Sequence, residues 1–152
     1  MSEISFKSPV GVGPLTSPDG SVTVADAAST AKVQVRAGAD TAAAEALDLS
    51  YGSSRRRADG ALVCGTRPDE WTIYGAAGQA AAISATVPTD GFVTVIDITH
   101  GRAMLRISGS NATSALNKIC NLDLGDELTP NGAVFSASVG NVGCDLVRDD
   151  QD

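Results

Sequence analysis

The sequence is poor in the residues on which most catalytic chemistry rests. It holds one histidine, His100, and its aromatic content is only 4%. A nucleophilic triad needs an imidazole within reach of its nucleophile, so a single histidine leaves few constellations to consider. The three cysteines, Cys64, Cys120 and Cys144, do not stand in the close pairs that structural zinc sites use. Together with His100 they would supply four donors, but their spacing argues for free thiols in a reducing cytoplasm rather than for a metal centre. No basic stretch followed by an apolar run opens the chain, so no signal peptide is expected. Apolar runs fall far short of the roughly 20 residues that a membrane helix needs. Positive charge is scarce too. Eleven Lys+Arg stand against 18 Asp+Glu, a net charge of -7, and such a surface repels nucleic-acid phosphates. Neither a GxGxxG turn after a strand nor a GxxxxGK[ST] loop occurs. These absences favour a chain that binds or assembles over one that does chemistry alone.

What is present suits a single α+β domain. The chain has 152 residues, 43% of them apolar, with a core built from small and β-branched side chains. Residues 1–30 hold three prolines and little periodicity. They read as an extended N-terminal arm with one short strand near Val22–Ala25 and some apolar content in Phe6, Val10, Val12 and Leu15. Residues 31–152 form the domain. Lys32–Arg36 alternates as a strand, Gly38 breaks it, and Asp40 or Thr41 caps a helix through Leu47 with Ala42, Ala43, Ala46 and Leu47 as its apolar stripe. Arg55-Arg56-Arg57 reads as a charged loop, in which a grip on an anion is the sharper alternative to plain solvation. Ala61–Cys64 and Trp71–Tyr74 read as strands joined by a turn at Pro68. An Ala-rich helix over 77–85 and a strand over Phe92–Ile98 complete a β-α-β-β-α-β order, which is ferredoxin-like.

Thr99-His100-Gly101 predicts a hairpin to a strand over Arg102–Ser108. One face of that hairpin would carry Val93, Val95, Ala103, Leu105 and Ile107 to the core. The other would carry Ile96 and Met104 among Thr94, Arg102 and Arg106, as a face covered by another surface does. Asp97 falls at the hairpin's end, where its carboxylate can accept a backbone N–H of Thr99 or His100 in an Asx-turn. Ser110 caps a helix over Asn111–Cys120. Ala133–Val139 and Val142–Arg148 form a second hairpin through Gly140-Asn141, read as a type II′ turn that pairs Val139 with Val142, Ala137 with Cys144 and Phe135 with Leu146. Cys120 and Cys144 are then structural thiols.

The chain also repeats itself. Val33-Gln34-Val35-Arg36, Gly38, a helix and Leu47-Asp48-Leu49 run alongside Met104-Leu105-Arg106-Ile107, Gly109, a helix and Leu122-Asp123-Leu124. The fold expected is two ferredoxin-like βαββ repeats, antiparallel sheets with helices on one face. The second repeat is incomplete, and its open edge invites a partner. Trp71, Ile96, Arg102, Met104 and Arg106 are the interface candidates. Trp71 has the alternative of anchoring the core, and Arg102 and Arg106 suit ion pairs to an acidic partner. His100, at a hairpin tip without a nucleophile beside it, is a weak candidate for a general base.

Several of these segments resemble one family. Thr66-Arg67-Pro68-Asp69-Glu70-Trp71, Val95-Ile96-Asp97-Ile98-Thr99-His100-Gly101-Arg102-Ala103, Leu105-Arg106-Ile107-Ser108-Gly109 and Cys120-Asn121-Leu122-Asp123-Leu124 look like the gamma subunit of heterotetrameric sarcosine oxidase, within the aminomethyltransferase-like superfamily. Lys118-Ile119-Cys120-Asn121 is only a shadow of the signature of the iron–sulfur assembly branch of that superfamily, which is set aside. The resemblance implies a non-catalytic accessory subunit packed against a folate-binding alpha subunit, beside a flavin-bearing beta subunit. It implies FAD or FMN, NAD and tetrahydrofolate only in those partners, and no catalytic, cofactor or metal residue in this chain. A stand-alone folate-binding domain and a self-associating homo-oligomer are the alternatives.

Overall fold

The structure is a computed structural model that describes residues 6–8 and 10–149. The first five residues of the expected arm, Pro9, and the last three of the expected domain lie outside the described residues. Among the described residues a five-stranded antiparallel sheet is the largest element. It is built from β3 (Ala31–Ala37), β4 (Ser54–Arg56), β5 (Leu62–Arg67), β6 (Glu70–Gly75) and β7 (Val93–Asp97) in the order β4-β5-β6-β3-β7. Without β4 this is the split βαβ order of a ferredoxin-like unit, with α1 (Ala42–Leu47) and α2 (Ala80–Ala85) as its crossovers. Thr41 caps α1 by accepting the Ala44 N–H at 3.3 Å, and Asp48 ends the helix in the left-handed region. The Arg run is not a loop but the edge strand β4. Pairing with β5 turns Arg55 toward the helices, where it donates to the Leu47 carbonyl at 2.9 Å and satisfies an orphan group at the end of α1.

Alternation places Val33 and Val35 of β3, Val63 of β5, and Trp71 and Ile73 of β6 on the helix side. All five are buried, and Ala43, Leu47, Ala80 and Ile83 close the core from the helices. Ala42 and Ala46 are exposed, so the stripe of α1 is Ala43 and Leu47, with Ala44 partly buried beside them. Burial of each large side chain stabilises this layer by roughly 1.5–3 kcal/mol. The opposite face is polar yet covered: Cys64, Thr66, Glu70 and Thr72 are all buried. Lys32 lies there with 2% exposure, and its ammonium donates to the carbonyls of Ala28, Thr30 and Thr99. Three carbonyls thus replace its water shell, and burial lowers its pKa from 10.5.

The second repeat comprises β8 (Leu105–Ser108), α3 (Ala112–Leu116), β9 (Val134–Val139) and β10 (Val142–Val147). The hairpin predicted between β7 and β8 does not form. After β7 the chain turns at Thr99–Arg102 and crosses to another sheet, where β8 pairs with β2 (Thr23–Asp26) and β2 with β1 (Leu15–Thr16). The expected arm therefore supplies two strands. The β9–β10 hairpin has the predicted register, including Val139 with Val142, Ala137 with Cys144 and Phe135 with Leu146. Its turn is type I′ rather than II′, because both Gly140 and Asn141 have positive φ. The helix expected over Asn111–Cys120 is cut to Ala112–Leu116, and Ile119 is 55% exposed.

The strand missing from the second repeat is supplied by β2. Val24 stands opposite Ile107 as Val95 stands opposite Val35, and Asp26 opposite Leu105 as Asp97 opposite Val33. The Ala27 N–H reaches the Met104 carbonyl at 2.9 Å, as that of Ile98 reaches the Lys32 carbonyl at 2.9 Å. Asp26 accepts the Ala28 N–H at 2.9 Å, and Asp97 that of Thr99 at 2.8 Å, the expected Asx-turn. The thread of the repeat is thus Val33 with Leu105, one residue away from the alignment the sequence suggested. The last strand of the second unit comes first in the chain.

Candidate partner groove

Between β8, α3, the end of β10 and the outer face of the large sheet lies a groove of about 850 Å³. Its apolar wall includes Leu62, Leu105, Ile107, Leu116, Phe135 and Leu146, and its charged lining is Arg56, Arg106, Arg148 and Asp149. Met104 and Arg106, two of the interface candidates, line the groove together with the rest of β8. Arg56 arrives from β4 because pairing with β5 turns it to the face opposite Arg55. It bonds Asp149 and donates to the Gly60 carbonyl at 3.0 Å. Arg148 bonds Asp126 at 2.6 Å and the Thr129 carbonyl at 2.8 Å. The Arg run is thereby divided among three tasks, since Arg57 pairs with Asp59 at 3.1 Å.

The other interface candidates lie apart. Trp71 is a core residue, 5% exposed, and its indole donates to the Leu49 carbonyl at 2.8 Å. Ile96 is 48% exposed on the outer face of the edge strand β7. Arg102 reaches Asp145 at 2.6 Å, whose other oxygen accepts from Ser136 at 2.7 Å, so this arginine is tied to β10 of its own chain.

Groups of potential reactivity are held in quiet states. Burial pushes the Cys64 thiol up to about 12, and the nearby negative charge of Asp149 adds to this. Burial also raises the phenol of Tyr74, which lines the groove, with Cys64 and Asp145 contributing. Hydrogen bonds from the side chain and backbone of Thr99 hold the Asp97 carboxyl below its usual range. The His100 ring stacks on Phe6 at 4.0 Å rather than on a nucleophile. Among the described residues, no three His, Cys, Asp or Glu side chains come together as a metal site, and no helix is long and apolar enough to cross a membrane. Arg148 and Tyr74 were missed from the sequence. Tyr74 lies near the end of β6 and Arg148 directly after β10, and nothing local marks where either side chain leads.

No protein-family model and no curated protein matches this chain. Among solved structures, a chain of heterotetrameric sarcosine oxidase from Corynebacterium sp. U-96, in complex with pyrrole 2-carboxylate, matches with a TM-score of 0.74. The two are 21% identical, and the match covers 88% of this chain and 73% of that one. The motif resemblance and the three-dimensional likeness therefore meet on one fold, that of a chain of heterotetrameric sarcosine oxidase.

Proposed function

We propose that this chain is an accessory, non-catalytic subunit of a sarcosine-oxidase-type flavoenzyme. In this reading it plays the gamma part, packs against a folate-binding alpha subunit and stabilises it, while a beta subunit carries the flavin. FAD or FMN, NAD and tetrahydrofolate belong to those partners, and the complex works in the cytoplasm. The observation that carries the reading is the fold likeness over 88% of the chain, joined to motifs of the gamma type between Thr66 and Leu124. The quiet Cys64 thiol and the stacked His100 support it from the chemical side. Affinity purification of the tagged full chain from native lysate tests it. The expected product is a yellow, flavin-bearing complex that oxidises sarcosine. A colourless chain recovered alone overturns the proposal.

One observation favours a second reading. The groove has the size of a ligand pocket and holds a carboxylate, Asp149, with the aromatic rings of Tyr74 and Phe135, which a stand-alone folate-binding domain would use. Saturable binding of tetrahydrofolate by the pure chain would support it, and a flat titration would remove it. Light scattering on the same sample separates a homo-oligomer from either.

A further inference from the structure

Both repeats end their last strand in the same turn. In the first, Asp97 closes β7 and accepts the Thr99 N–H. In the second, Asp26 closes β2 and accepts the Ala28 N–H. Thr99 and Ala28 thus hold equivalent places. The carbonyls of both accept from one and the same group, the Lys32 ammonium, at 3.2 and 2.9 Å. Its remaining N–H goes to the Thr30 carbonyl at 2.9 Å. An ammonium has three donors, so all of them are engaged.

Lys32 belongs to the first repeat by its place on β3. The correspondence of Val33 with Leu105 makes Met104 its counterpart, which carries no charge. The two repeats therefore share one cation, set between matching turns. Asp26 from β2 and Asp97 from β7 both favour its charge. Among the described residues no strand of the large sheet pairs with a strand of the β1-β2-β8 sheet. Two connections of the chain run between these sheets, residues 27–30 from β2 to β3 and residues 98–104 from β7 to β8. Lys32 holds a carbonyl of each.

We propose that Lys32 is a clasp on which the coupling of the two sheets depends, so that without its ammonium the β1-β2-β8 sheet opens as one body while the first repeat stays closed. Hydrogen bonds from a charged donor are the stronger kind, and carbonyls that lose theirs in a buried place are costly. The first repeat keeps its core because Val33, Val35, Trp71 and Ile73 lie on the opposite face of the large sheet from Lys32. The coupling is internal to this chain and does not depend on membership of the flavoenzyme complex.

Amide hydrogen exchange on the full chain tests it, comparing the native sequence with Lys32→Met, which keeps the apolar stem and loses the charge. Exchange in Thr23–Asp26 and Leu105–Ser108 is expected to speed up together, by at least about tenfold, while Val33–Arg36 and Trp71–Ile73 keep their rates. Lys32→Ala isolates the charge itself. Added n-propylammonium matches the missing stem and head, and it is expected to slow exchange in both strands again. Added n-propanol, close to it in size but uncharged, is expected to leave the rates as they are. If Lys32→Ala does not fold alone, recovery of the folded chain with propylammonium and not with propanol supports the proposal equally. Changes confined to residues 28–32 and 99, equal acceleration in β5 and β6, or rescue by both additives or by neither would overturn it.

Discussion

Strands β3 and β8 hold the same place in two copies of one unit, and they live in different surroundings. Val33 and Val35 of β3 have no exposed surface, while Leu105 of β8 is 49% exposed and Ile107 only half-buried. The difference is one of cover. Two helices lie over the first sheet, and strands flank β3 on both edges. Among the described residues the second repeat has one helix, α3, five residues long, and β8 is flanked by one strand. A strand of this kind becomes core when its layer is complete and stays half in solvent when it is not.

The contrast has measurable edges. Ile73→Ala, in the closed unit, should cost about 3–4 kcal/mol in urea unfolding, because the side chain is wholly buried among rigid neighbours. Leu105→Ala should cost under about 1 kcal/mol, since half of that side chain is already in water. Equal losses would erase the distinction. Next in size is a pair of glycines. Gly109 has φ +112°, and a Cβ there would stand 2.2 Å from the Ser21 carbonyl oxygen, so Gly109→Ala should cost about 2 kcal/mol or more and speed amide exchange in β2 and β8 together. At Gly38 the added Cβ meets the end of the Asp40 side chain at 3.0 Å and, in ordinary contact, the Thr41 methyl at 3.7 Å, and Gly38→Ala should cost under about 0.5 kcal/mol.

Alkali gives the third test. The folded Cys64 thiol keeps its proton to about 12, against 9.0 when exposed. Above 9.0 the unfolded chain binds fewer protons than the folded one, so stability falls with rising pH, by up to about 1.4 kcal/mol per pH unit, until the folded thiol also titrates. Tyr74 adds a fall of the same sign above 10.0. Urea unfolding across this range should show the decline, and Cys64→Ala should flatten its first part. The smallest effect is at the end of α1, where Arg55→Gln should cost about 1 kcal/mol by freeing the Leu47 carbonyl, measured in the same way.

The parts of the fold legible in the sequence were those decided locally. Gly140-Asn141 brings two alternating strands together within a few residues, and the pairing of β9 with β10 followed to the residue. The turn at Pro68 and the Thr41 cap were legible for the same reason. Thr99-His100-Gly101 misled because a turn signal says that the chain bends and not what it meets next. The Thr99 hydroxyl instead accepts the Lys32 N–H at 3.0 Å, and β8 finds its partner far away in the chain. Four-residue β2, in a segment rich in proline, carries no mark of the strand it will join. Of the groove, the sequence marks Met104 and Arg106 on one face of the expected hairpin, but the structure has no such hairpin, and Leu105 and Ile107 of the opposite face line the groove as well. Arg102 pairs with Asp145 of the same molecule, a contact from far along the chain that no local pattern announces.

The placement of β2 bears on how the molecule is made. Asp26 leaves the ribosome long before Leu105, its neighbour in the finished sheet. At 5–20 residues per second the wait is on the order of ten seconds. Through that interval the early strand has only β1 beside it, and the first unit is itself completed only when β7, which ends at Asp97, has been made. The nascent chain thus spends its synthesis with a docking place to come, and a chaperone or an already finished subunit that shields this stretch would act before the second half is even translated.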